Sequence, residues 1–147
     1  MIVKKGFFLI CFLLIASTAC TVNKSSDEKF SVSLRVPENI KVGESFDLEA
    51  ILKNNLEQDY DIWHAGDLFG IAVSKEDEEF PDMIFNGSLV RSKLPSKEMI
   101  SEKHRFVLDE PGQYKAIAKA VFEVGKDNQN EGKKYIIDSM IVKFEVK

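Results

Sequence analysis

The sequence predicts an all-β protein, an antiparallel sandwich of about seven strands, and three observations carry that prediction. From Phe30 onward the apolar residues recur at every second position, the period of a half-buried strand and not of a helix. Turn-forming residues punctuate the runs at Pro37, Val42-Gly43-Glu44, Asn54-Asn55, Pro81-Asp82, Pro95-Ser96 and Pro111-Gly112. The chain has 147 residues, 44% hydrophobic and 30% charged, which suits one domain with its own core and excludes a disordered or polytopic membrane protein.

Taken in order, Phe30, Val32, Leu34 and Val36 alternate with Ser31, Ser33 and Arg35. Phe46, Leu48, Ala50 and Leu52 alternate with Asp47, Glu49, Ile51 and Lys53, which places Ile51 on the outer face. Tyr60–Trp63 and Phe69–Val73 read as two shorter strands about a turn at His64-Ala65-Gly66-Asp67. His104, Phe106 and Leu108 share one face, and Tyr114, Ala116, Ala118, Ala120, Phe122 and Val124 share another. Met140, Val142, Phe144 and Val146 form the last strand, reached from Val124 through a long polar connection. Two details favour an immunoglobulin-like sandwich over a closed barrel. In Asp109-Glu110-Pro111-Gly112-Gln113-Tyr114 a tyrosine follows a glycine by two residues at the start of a late strand, as in a tyrosine corner. The single tryptophan, Trp63, falls on the third strand, where such folds bury one.

The first twenty residues differ from the rest. Lys4 and Lys5 precede an apolar run from Gly6 to Ile15, then small residues Ala16-Ser17-Thr18-Ala19 and Cys20. That is the layout of a secretory signal, with an apolar run short of the ~20 residues a spanning helix needs. The cysteine directly after the small residues resembles the lipobox of bacterial lipoproteins. The resemblance implies a diacylglycerol on the Cys20 thiol and cleavage before it. The expected organisation is therefore a signal peptide at 1–19, a flexible tether at 20–29 and a sandwich domain at 30–147. Cleavage removes Cys11, Lys4 and Lys5, leaving 18 basic against 24 acidic residues, a charge of about −6. With one thiol left, the core holds by burial and not by a disulfide. The expected location is the extracytoplasmic face of the cell membrane.

Leu52-Lys53-Asn54-Asn55, Ile62-Trp63-His64, Phe69–Val73, Leu94–Glu98 and Phe106–Tyr114 occur in an order that resembles the immunoglobulin-like domain of the BsuPI proteinase-inhibitor-related family, also found in lipoproteins of Gram-positive bacteria. The resemblance spans roughly residues 44–124 and implies an immunoglobulin-like fold and protein binding. It carries no inhibitory residue over.

Motifs for chemistry are sparse. The chain has two histidines, His64 and His104, no Gly-x-Ser-x-Gly, no P-loop and no glycine-rich dinucleotide turn, so neither catalysis nor a cofactor is expected. Excess negative charge and a pI near 5.3 argue against nucleic acid as a partner. His64 and Asp67, with Asp59 and Asp61 nearby, are the weak metal candidates, lacking the paired-ligand spacing of a zinc site. Glu76-Asp77-Glu78-Glu79 reads as a solvated turn that repels anionic surfaces, so membrane attachment is expected from the lipid. Phe80-Pro81-Asp82-Met83-Ile84-Phe85 is apolar but aperiodic, either a cap on the core or an exposed edge. The candidate binding loop is Lys126, Asp127, Asn128, Gln129, Asn130 and Glu131, because loops at one end of such sandwiches make the contacts. The functional expectation is a non-catalytic binding module with a protein partner, anchored through Cys20. The alternatives are a proteinase-inhibitor-like protein and a metal-binding envelope protein that uses His64.

Overall fold

The computed structural model describes residues 24–26, 29–125 and 132–147, and their regular structure is nine strands without a helix. The strands are β1 (Lys24–Ser26), β2 (Phe30–Arg35), β3 (Ser45–Asn54), β4 (Tyr60–Lys75), β5 (Val90–Leu94), β6 (Met99–Val107), β7 (Gly112–Val124), β8 (Lys133–Asp138) and β9 (Val142–Val146). One sheet runs β1-β2-β3-β6; the other runs β5-β4-β7-β8, with β9 also on β7. All strand pairs are antiparallel. This is the immunoglobulin-like arrangement, in which β2, β3 and β6 face the sheet of β4 and β7. The final strand position is divided between β8 and β9. Ser139 joins them, its amide donating to the Ala118 carbonyl at 2.7 Å and its hydroxyl accepting from the Ala118 amide at 3.0 Å.

Alternation explains the layers. Phe30, Val32 and Leu34 of β2 and Leu48, Ala50 and Leu52 of β3 meet Ala116, Ala118, Ala120 and Phe122 of β7 across the sandwich. Phe30 is fully buried, edge-on to Phe122 at 5.2 Å and to Tyr135 at 5.0 Å. Taking such a side chain out of water contributes roughly 2–3 kcal/mol. The alanine row on β7 keeps the sheets close, so the larger rings fill the remaining space. At the far end Ile40, Tyr114 and Val146 form a second cluster, closed by a parallel bridge between Ile40 and Val146. The tyrosine corner is present: the Tyr114 hydroxyl donates to the Glu110 carbonyl at 3.0 Å.

Several expectations need correction. Tyr60–Lys75 is one strand of 16 residues and not two strands about a turn. Its pairing with β7 shifts register between His64↔Phe122 and Phe69↔Ala120, so Ala65–Leu68 oppose Val121 alone. This bulge reconciles the two halves, because His64 and Phe69 are five positions apart and would otherwise point to opposite faces. Ile51 is buried, although its neighbours' alternation placed it outside. Trp63 lies on the outer face of its sheet, half-buried, with the Arg91 guanidinium 5.9 Å from its ring, and is no core residue. Lys24–Ser26, expected in the tether, pair with β2 in the register Lys24↔Ser33. β5 and β8 were not foreseen. The long polar connection therefore leads from β7 to β8, and Met140, expected to share the inner face of the last strand, is exposed between β8 and β9.

Candidate functional site

Cys20 and the loop residues Lys126, Asp127, Asn128, Gln129, Asn130 and Glu131 lie outside the described residues. The strands that carry the loop are defined up to Val124↔Lys133, its last paired rung, with Gly125 turning at a φ of 76°. That rung sits at the end of the sandwich where two other loops are clamped together. Asn54, fully buried at the end of β3, donates from Nδ2 to the carbonyls of Gln58 at 2.7 Å, Pro95 at 3.0 Å and Leu94 at 3.3 Å. Its Oδ1 accepts from the Leu56 amide at 3.0 Å. Asp59 accepts from the Ser96 amide at 2.8 Å, and the Lys97 ammonium donates to the Asn55 carbonyl at 2.7 Å. Lys97 itself has a φ of 60°, left-handed backbone that side chains rarely adopt. Residues 55–59 and 94–98 thus form a braced platform next to the start of the 125–132 connection.

The metal candidates are not brought together. His64 points inward at the bulge and is buried. Its Nδ1 donates to the Ala65 carbonyl, and its Nε2 lies in hydrogen-bond contact with the Ser92 hydroxyl at 2.9 Å. Asp67 enters the same bulge through its backbone, its amide donating to the Asn86 carbonyl at 3.1 Å. Among the described residues no three His, Cys, Asp or Glu side chains converge on a point suited to a metal ion. Asp61 is engaged on the outer face instead, where Arg91 donates to it at 2.7 Å and holds its carboxyl below the ordinary value.

One charged residue escaped the sequence reading. Glu102 faces inward from β6 and accepts from the Leu68 and Phe69 amides at 3.3 and 3.4 Å, satisfying the donors that the bulge releases from its ladder. His104, two residues on, lies 3.6 Å from the same carboxylate. The available signal was an acid at an inward position of the run Ile100, Glu102, His104, Phe106.

The aperiodic segment Phe80–Phe85 is a strap across the outside of the β4 sheet. A side chain at Gly70 would come within 3.0 Å of both Met83 and Phe85, and the Gly66 backbone lies against Asn86 and Gly87. Lys115 stands over the Phe80 ring at 5.1 Å. The acidic run begins where the Glu76 amide donates to the Gln113 carbonyl at 3.0 Å, at the opposite end of β7 from the loop. There Lys75 pairs with Glu110 and Lys143 with Glu76. Hydrogen bonding to Lys75 holds the Glu110 carboxyl below its ordinary value and raises the Lys75 ammonium.

No family model matches the chain. No curated protein matches it either. Solved structures do. The C-terminal domain of Wzt is similar, with a TM-score of 0.50, 11% identity, and coverage of 88% of this chain and 80% of that one. The CARDB domain of a Pyrococcus furiosus protein gives 0.43 at 14% identity, covering 89% and 95%. A PapD-like domain of human CEP192 gives 0.40 at 16%, covering 97% and 96%. At these identities likeness speaks to fold alone. The strand order, the tyrosine corner and the likeness to the Wzt domain define an immunoglobulin-like β-sandwich.

Proposed function

We propose that this chain is a non-catalytic binding module of the bacterial cell envelope, lipid-anchored at Cys20 on the extracytoplasmic face, which meets a protein partner through residues 126–131. The observation that favours this reading is the braced end of the sandwich. Asn54 ties two loops into one unit, and the β7–β8 connection leaves its last paired rung at that same end. A contact loop on a rigid base loses less conformational entropy on binding than one on a mobile base. Pull-down from envelope extracts with the whole anchored chain, and with residues 126–131 replaced by Gly-Ser, tests the contact. Loss of the captured partner with the replacement is the expected result; unchanged capture overturns the placement.

The resemblance over residues 44–124 adds a narrower form of the same reading, in which the partner is a secreted protease. Incubation with a panel of such proteases should slow at least one of them, and uniform unimpeded cleavage of a reporter substrate would remove that form.

A further inference from the structure

β6 closes one side of its sheet, and among the described residues no strand pairs with its outer edge. At nine residues it is the longest strand that ends a sheet, against three for β1, five for β5 and six for β8. Such an edge is a row of backbone donors and acceptors open to another strand. Its side chains fall in two rows. Met99, Ser101, Lys103, Arg105 and Val107 face outward, and Met99 and Val107 are 55% and 51% exposed. Ile100, Glu102, His104 and Phe106 face the interior and are partly buried. Polar groups in an inward row bar most incoming strands, whose own inner residues would have to lie against them. The exception is a strand that brings each of them its complement.

A second copy of β6, antiparallel with Lys103 facing Lys103, does so. Met99 then meets the other copy's Val107, Ile100 its Phe106, Ser101 its Arg105 and Glu102 its His104, each pair occurring twice about the twofold axis. Apolar side chains meet apolar ones in both rows, and each carboxylate gains an imidazole directly across the strands. Within one chain the His104 ring is 3.6 Å from Glu102, too long for a hydrogen bond. The carboxylate keeps its two amide donors from the bulge and has lone pairs to spare. The cost is Lys103 facing its own copy. Lys103 lies opposite Glu49 on β3, and Arg105 is held by Asp47 at 3.1 Å. Slipping the register by two residues sets Glu102 against Glu102 in one direction and against Phe106 in the other. The register that pairs all nine residues is therefore the one that matches their chemistry.

We infer that two copies of this chain pair through β6 in the register Met99↔Val107, joining their β1-β2-β3-β6 sheets into one continuous sheet. The pairing is independent of the lipid proposed at Cys20. In the full chain carrying Cys11→Ser and Cys20→Ser, purified in detergent, any added cysteine is the only thiol. Lys103→Cys lies beside its own copy, with about 5 Å between Cα atoms, and should give a linked dimer on mild oxidation. Ser101→Cys is displaced from its copy by four residues, about 13 Å along the strand, and should stay unlinked. Ser101→Cys together with Arg105→Cys should link again. Met99→Glu with Val107→Glu sets acid against acid at exposed positions and should weaken association about tenfold in sedimentation, whereas Met99→Glu with Val107→Lys should restore it. Linkage at 101 as readily as at 103 overturns the register. No linkage at 103 overturns the pairing: a monomer's mass then leaves this edge to a different chain, and a dimer's mass puts the contact elsewhere on the surface.

Discussion

Asn54 and Tyr114 hold corresponding positions at opposite ends of the sandwich, each a polar group committed to backbone carbonyls of a neighbouring turn. Their removal should not cost the same. Tyr114→Phe gives up one hydrogen bond and keeps the ring in its cluster, so denaturant unfolding should show a loss of about 1 kcal/mol. Asn54→Leu removes the donors to three carbonyls, including the buried Leu94 oxygen, and the same measurement should show about 3 kcal/mol. Lys75 and Glu110 test electrostatics in the open. Because Glu110 is depressed in the folded protein, its share of stability is present above the unfolded value and disappears as pH falls through the folded one. Lys75→Gln should return the Glu110 carboxyl toward its ordinary 4.5, read by NMR titration of the side-chain carbon. Tyr114 was legible because Pro-Gly-x-Tyr is a local signal. Asn54 was not, since a residue that reads as a turn signal at the end of a strand gives no sign that it closes loops from 40 residues away.

The elements divide in a similar way. β2, β3 and β7 were readable because their inner residues alternate without interruption. β4 was misread because a bulge hides inside it: the glycine and aspartate at 66–67 carry turn chemistry, and only the partner strand reveals that pairing resumes beyond them. β5 was missed because Leu94 is the only apolar side chain it buries. Trp63 was placed inside by analogy with the fold class, but an inward Ile62 and His64 force it outward. The strap follows from the small residues under it. Gly70→Val would put branched carbons where Met83 and Phe85 sit, so the strap should lift, and limited proteolysis should cut within residues 80–87 faster than in wild type. Glu102→Leu should leave the Leu68 and Phe69 amides without an acceptor and speed their hydrogen exchange ahead of the rest of β4.

At the scale of the whole molecule, the β-sandwich class and its immunoglobulin-like order were accessible from period, turns and one tyrosine. The candidate site was accessible only in part. Chemistry-bearing residue types are easy to find in a sequence, but their convergence is a property of register. His64 was singled out, yet its ring is spent on Ala65 and Ser92, while the acid that serves the same bulge comes from a strand nearly 40 residues further on. Cys20 was marked by its local pattern alone, whereas residues 126–131 were singled out because loops at one end of such sandwiches make the contacts.

The bulge at Ala65–Leu68 also constrains how this sequence can change length. Four residues stand against one there, so losing a single residue would turn one half of β4 inside out, exchanging Ile62 and His64 for Trp63 on the core face. The connection from Glu76 to Leu89 carries no such parity and returns the chain along the outside of the sheet. Among descendants of this sequence, insertions and deletions are expected to collect in that outer connection, while substitutions alone alter the bulge.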